Sequence, residues 1–308
     1  MEPYALPTST QGDSMIFLGN STIESGEQWY TWTKPAGKAM ASFVIIGAGG
    51  GGGSGAIGAA GTAAGGGGGS SGAMTVIDMP LHLLPPRLYI SVGYGAVGYA
   101  ASTWVSTQPN TTSNHVIGYA MGGNPGSDAN NGTAGAGSPG GFAATAANMP
   151  LGWQYTRFAA TQQVGSSGGA TSAGVAVTLP VTGLRLTGGT GGAGVPASGA
   201  GLAGGTLTTP ASPSYFIAHT GGVAPATATT APGVGKSGVN IRDAGMFYYG
   251  GTGGASTHAT ATGAGLVQAA GGNGGIGCGG GGMGGALTGS TPAKLSSGGS
   301  GMVMITCY

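Results

Sequence analysis

The stretch Thr230-Ala-Pro-Gly-Val-Gly-Lys236-Ser237 comes nearest to a chemical motif in this chain. It almost matches the phosphate loop Gly-x4-Gly-Lys-Ser/Thr, in which backbone amides cradle phosphates and the lysine reaches them. Its first glycine is replaced by Thr230, residues 224–229 do not read as a buried strand, and Ser237-Gly-Val-Asn opens no helix. A glycine-rich loop with a solvated lysine is the reading that fits. Gly165-Ser-Ser167-Gly-Gly169 has the nucleophile-elbow spacing Gly-x-Ser-x-Gly. At this glycine and serine content about one or two such matches arise by chance, and the flanks are neither strand nor helix. His82, His115, His219 and His258 are far apart and share no ligand spacing. Cys278 and Cys307 form no metal motif or disulfide framework and read as free buried thiols. Seven acids in 308 residues leave little material for a carboxylate pair. No catalysis, cofactor or metal is expected.

Composition narrows the class further. Glycine supplies 73 residues and proline 17, which would suit disorder, but only 5 % of the chain is charged and 40 % is hydrophobic. Disorder goes with the opposite balance. Strict Gly-X-Y repetition is missing, which excludes collagen. The net charge is +1 with Lys and Arg scattered singly, so no nucleic-acid partner is expected. Four acids, Glu2, Asp13, Glu24 and Glu27, fall before residue 28 and mark residues 1–27 as an arm of different character. That arm has no basic n-region followed by an apolar h-region, so it does not read as a signal peptide. Between Lys38 and Asp78 the chain is uncharged, but glycine rather than leucine fills the stretch, so it is not read as a membrane span.

The elements that would hold any site are written in the glycine spacing. Thr187-Gly-Gly-Thr190-Gly-Gly-Ala193, Tyr249-Gly-Gly-Thr252-Gly-Gly-Ala255 and Gly271-Gly272-Asn273-Gly-Gly-Ile276 repeat every third residue. A period of three fits neither α-helix nor strand, but it fits the extended left-handed helix with three residues per turn. Such helices make no internal hydrogen bonds, so they must bond to their neighbours. Bare glycine faces would let them approach closely. The uninterrupted runs at 49–53 and 65–69, and glycines around 280, are expected inside a bundle. Gly50, Gly51, Gly52, Gly66, Gly67, Gly68, Gly280 and Gly281 are its scaffold positions. The X-Gly-Gly runs are expected at its rim, with Thr190 facing outward.

Alternation marks a strand at residues 28–33, and runs rich in β-forming residues mark others at 42–46, 73–78, 87–92 and 302–306, the last of central type. They are expected to form one antiparallel apolar core that anchors the bundle. The fold class is thus all-β and irregular: a small antiparallel anchor, a bundle or sandwich of polyglycine II helices, and long loops. Residues 28–308 form that domain, with inserts at about 99–121, 142–164, 206–220 and 239–249. The inserts carry Trp104, Trp153, Tyr155, Phe158, Tyr215, Phe216, Phe247, Tyr248 and Tyr249. Aromatic residues in glycine- and serine-rich loops suit recognition, so these nine are the candidate receptor-binding set.

The order Tyr30-Thr-Trp-Thr-Lys-Pro-Ala-Gly37, then Phe43-Val-Ile-Ile-Gly-Ala-Gly-Gly50, resembles the glycine-rich domain of bacteriophage tail fibres and adhesins. The run at 65–69, the strand at 73–79, Leu88-Tyr-Ile-Ser-Val-Gly-Tyr-Gly95, Ser102-Thr-Trp-Val105 and the closing tract at 271–285 and 298–306 follow the same order. The likeness covers about 28–125 and 264–307 and leaves 126–263 unaligned. It implies a virion protein, similar to the tip adhesins of T-even-like phages, that binds a host surface receptor through loops. The partners it implies are other virion proteins, docked by the arm, and a host polysaccharide or outer-membrane protein. A homo-oligomer stays open. A capsid decoration or head-fibre protein that stabilises the particle or binds polysaccharide is the alternative, and a cellular glycine-rich surface protein the third.

Overall fold

The computed structural model describes residues 13–19, 29–140, 143–179, 186–208, 218–241 and 247–308. Among them there is no α-helix, and the regular structure is β. One sheet has the order β1-β15-β3-β5-β9 and the other β2-β6-β7-β8, both antiparallel throughout. The first contains β1 (Asp13–Leu18), β3 (Met40–Ile46), β5 (Met74–Pro80), β9 (Thr156–Ala160) and β15 (Met302–Cys307). The second contains β2 (Trp29–Thr33), β6 (Arg87–Ser91), β7 (Thr103–Ser106) and β8 (Val116–Ala120). Three two-residue pairs complete the list: β4 (Ile57–Gly58) with β14 (Ala286–Leu287), β10 (Val177–Thr178) with β11 (Leu207–Thr208), and β12 (Asn240–Ile241) with β13 (Phe247–Tyr248).

Alternation decides what each face meets. Phe43, Ile45, Ile77, Met79, Val303 and Ile305 turn one face of the five-stranded sheet onto Trp32, Leu88, Ile90, Val105 and Ile117 of the other, forming a β-sandwich core. The residues between them, Val44, Ile46, Val76 and Met302, turn the opposite face onto Leu186, Tyr248 and Cys278. Burial on both faces explains why β3 reads as the near-continuous apolar run Phe43-Val-Ile-Ile46. The five strands expected from the sequence are all present. They contribute to one core, but from two sheets, because β2 and β6 pair with each other. The expected insert 99–121 is corrected: it holds β7 and β8, whose Val105 and Ile117 are core residues. The insert 142–164 likewise supplies β9. Within the expected arm 1–27, Asp13–Leu18 forms β1, and residues 1–12 and 20–28 lie outside the described part.

The strands run on into glycine-rich segments without losing register. Ile46 pairs with Met302, and beyond it the N–H groups of Gly49 and Gly52 donate to the carbonyls of Gly299 and Ser296. Ile46 also pairs with Met74, and beyond it Gly47, Gly50, Gly53 and Ala56 donate to Ala73, Ser70, Gly67 and Ala64. Both sequences of bonds step by three on each chain. In a sheet a strand bonds only to neighbours in its plane. Here the intervening N–H groups turn elsewhere.

Residues 65–73 display the pattern in full. The N–H groups of Gly65, Gly68 and Ser71 donate to Gly169, Ser166 and Gln163. Those of Gly66, Gly69 and Gly72 donate to Met283, Gly280 and Gly277, and those of Gly67, Ser70 and Ala73 to Ser127, Asn124 and Met121. All nine bonds measure 2.8–3.1 Å. Carbonyls of the same segment accept from Gly53, Gly135 and Gly192, so six surrounding segments are bonded to it. Residues 187–195 and 277–286 are also enclosed on all sides, with 47–56 and 249–257 beside them. Around these five run outer segments that include 121–129, 163–169, 172–175, 201–208, 232–239, 268–275 and 294–300.

This arrangement corrects one expectation. Of the three X-Gly-Gly runs, only 271–276 lies at the rim, where Asn273 is exposed. The runs at 187–193 and 249–255 are interior, and Thr187, Thr190, Ala193, Thr252 and Ala255 are buried. Their threonines are accommodated because each hydroxyl replaces a backbone acceptor. Thr187 Oγ1 accepts the N–H of Gly250 and Thr190 Oγ1 that of Gly253, both at 2.7 Å.

Candidate functional site

The scaffold glycines sit where close approach is obligatory. A Cβ on Gly50 would fall on the carbonyl of Asn124, on Gly51 that of Val97, and on Gly52 that of Gly281. On Gly66 it would meet Gly53, on Gly67 Ala136, on Gly68 Gly189, and on Gly281 Thr252, always at a backbone oxygen. At Gly280 the nearest atom is the carbonyl oxygen of Ser297 at 2.8 Å. No backbone in this lattice can retreat without breaking its own bonds. The interior therefore has no room for added side chains, and bulk can be accommodated only at its ends and rim.

One end is closed by turns. The sandwich strands enter the bundle at the other end. The connections 57–63, 129–134, 169–173, 195–201, 225–232, 258–268 and 286–293 all close at the far end. Hydrogen bonds tie them to one another: Gly132 N–H to Thr62, Val195 N–H to Ala63, Thr288 N–H to Gly58, Gly201 N–H to Pro225 and Ala259 N–H to Gly199. The sharp reversals use left-handed glycines, among them Gly132 (φ +82°) and Gly289 (φ +90°). These seven turns carry no Asp, Glu, Lys or Arg and no Phe, Trp or Tyr, and His258 is their one titratable side chain. Thr62, Thr133, Thr171, Thr229, Thr260, Thr262, Thr288 and Thr291 are exposed there. This end presents hydroxyl, methyl and peptide groups on a rigid base.

The nine aromatic candidates do not converge. Trp153 is exposed at 41 %, in a short 3-10 turn at the sandwich end. Tyr155 beside it leans on the sandwich core. Trp104 lies in β7, half-buried against Tyr119 with ring centroids 4.2 Å apart. Phe158 is in β9 and packs partly on the second cluster. Tyr248 and Tyr249 are corrected outright: they are 2 % and 1 % exposed. Tyr248 closes the cluster between sheet and bundle, and Tyr249 packs with Leu179 and Leu207 under the ring of His219. Neither can touch a receptor while folded. Phe247 is placed only as backbone of β13, and Tyr215 and Phe216 lie outside the described residues.

The decoy motifs are absorbed by the lattice. In the phosphate-loop lookalike, Gly233 and Gly235 donate to Val223 and Ala270, and the Lys236 N–H donates to Thr252 Oγ1. Those amides are spent, so they form no anion cradle. Ser167 Oγ accepts from Gly137 N–H at 3.3 Å on an outer segment. Among the described residues no three His, Cys, Asp or Glu side chains gather as a metal site, and no helix is long and apolar enough to cross a membrane. Cys278 is fully buried, and burial pushes its thiol up to about 12 against the opposing N–H of Thr187. Burial, and then Lys236, hold His219 below its ordinary value.

The sandwich end differs chemically. Lys34 Nζ donates to the carbonyls of Leu81 and Leu84 at 3.2 and 2.8 Å, which fixes the proline-bearing connection before β6. Arg157 pairs with Asp78 at 3.3 Å and Lys38 with Asp13 at 3.8 Å. The Tyr308 carbonyl accepts from Ala39 and Met40, so Asp13 and Tyr308 share this end. The sandwich end thus carries two ion pairs and the exposed Trp153, whereas the seven turns are themselves uncharged, with Asp128 and Lys294 flanking them. No protein-family model matches the chain, and no curated protein matches it.

Proposed function

We propose that this chain is a bacteriophage virion adhesin without enzymatic activity, in which polyglycine II helices carry recognition turns. The helix assignment rests on the bonding of residues 65–73. Nine successive N–H groups serve three neighbours in strict rotation, as three residues per turn requires. The functional reading is carried by one observation: seven turns gather at one end of a core that tolerates no added Cβ. Recognition loops on a rigid scaffold are the common arrangement of binding proteins. The resemblance of residues 28–125 and 264–307 to phage glycine-rich domains supports the virion context. Asp13 lies at the end opposite the turns, an arrangement that suits docking to another virion protein there.

The test exchanges the turn at 258–268 for a glycine-serine segment of equal length in the intact phage. Adsorption to the host should slow about tenfold or more, a loss of at least ~1.4 kcal/mol in binding, with particle yield unchanged. Unchanged adsorption after every turn has been exchanged rejects the reading.

A capsid decoration or head-fibre role is the second reading. It is favoured by the burial of Tyr248 and Tyr249, which shrinks the aromatic surface expected of a receptor-binding loop. Copy number per particle separates the two: a handful of chains supports the tip adhesin and hundreds support decoration.

A further inference from the structure

Strand β1 breaks the burial pattern of its own sheet. Three strands of that sheet, β3, β5 and β15, have buried residues on both faces, whereas in β1 Met15, Ile16 and Leu18 are 51 %, 43 % and 44 % exposed and Phe17 alone packs on the sandwich core. It lies at the edge, with β15 as its strand neighbour among the described residues. Natural edge strands are usually guarded by lysine, proline or a bulge. None interrupts Asp13-Ser-Met-Ile-Phe-Leu18, whose register with β15 is continuous. An apolar strand unguarded at an edge is a template for another strand.

We propose that β1 is the seam of a homodimer, pairing antiparallel with β1 of a second copy into one continuous ten-stranded sheet. The sequence of the strand selects that occupant. A two-fold axis perpendicular to the sheet through Ile16 sets Ile16 opposite Ile16 of the second copy. Met15 then faces Phe17 of the second copy on the sandwich side, and Leu18 faces Ser14 of the second copy on the bundle side. Side chains opposite one another in an antiparallel pair share a face, so Met15 with Phe17 on one face and Ile16 with Ile16 on the other bring apolar groups together, while Leu18 covers Ser14. Asp13 falls opposite Gly19 of the second copy, so the two carboxylates do not oppose each other. An isologous contact of this kind closes on itself and does not propagate into fibres.

The full chain in solution tests this directly. Sedimentation equilibrium should return twice the 29.0 kDa chain mass. Ile16→Lys should weaken association by about tenfold or more, since two lysines then meet at the axis, while its circular dichroism stays that of the parent. Ile16→Cys should cross-link to a covalent dimer on oxidation, because Cα atoms of opposed residues lie ~4.5–5.5 Å apart. The native Cys278 and Cys307 are buried and do not compete. Val223→Cys, on the exposed rim, should not cross-link. A monomer at every concentration overturns the proposal, and so does a dimer indifferent to Ile16→Lys that fails to cross-link at residue 16.

Discussion

The hydroxyl of Thr190 accepts the N–H of Gly253 and donates to the carbonyl of Gly205, both at 2.7 Å, and the residue is fully buried. One side chain thus joins three segments of the bundle. Thr190→Val keeps the shape and removes both bonds, leaving buried peptide groups short of a partner. The expected cost is ~1–3 kcal/mol. Thr190→Ser should recover most of it. Urea unfolding of the two variants decides, and equal stability would show that the hydroxyl is not part of the lattice.

Gly67 and Gly98 contrast two glycines of one bundle. A Cβ at Gly67 meets the carbonyl of Ala136, whereas at Gly98 it meets nothing within 4 Å. Gly67→Ala should destabilise by at least ~2 kcal/mol or prevent folding, because overfilled cores cost that much when the backbone cannot move. Gly98→Ala should fall within ~0.5 kcal/mol of the parent. Thermal melts of both variants provide the comparison, and similar melting would remove the case for a close-packed interior.

Cys278 links the bundle to alkaline pH. Burial pushes its thiol up to about 12 in the folded chain from an ordinary value of 9.0. Between those values the folded chain keeps a proton that the unfolded chain has released, so stability is full below about 9 and falls as pH rises toward 12. Cys278→Ala should flatten that decline in melting temperature. At pH 8 a maleimide should label Cys278 only as fast as the chain unfolds. Rapid labelling of the folded protein would contradict its burial.

Much of this fold is legible in the sequence, and the failures have physical causes. Phe43-Val-Ile-Ile46 declares a strand buried on both faces, and the runs at 49–53 and 65–69 declare interior positions. The threonine-bearing runs mislead because a hydroxyl mimics a peptide carbonyl, so Thr187 and Thr190 pass for surface residues while serving as acceptors inside. Strands β7 and β8 are joined by the polar stretch 107–115 and so read as part of one insert, and their pairing, β7 with β6 and β8 with β7, reveals them. For the site, Trp153 is exposed. Tyr248 and Tyr249 are not, because the junction between sheet and bundle needs bulk that glycine cannot supply. The gathering of the turns is invisible in sequence, since it depends on the direction in which each segment runs.

The scaffold claim is tested most directly by amide hydrogen exchange across residues 65–73. Every one of those N–H groups is bonded to a neighbouring segment. All nine consecutive amides are therefore predicted to exchange at one slow rate, set by opening of the whole bundle. Alternating fast and slow amides would indicate a two-sided strand, and fast exchange throughout would indicate a loop. Either result would contradict the helix bundle on which the turns are proposed to sit.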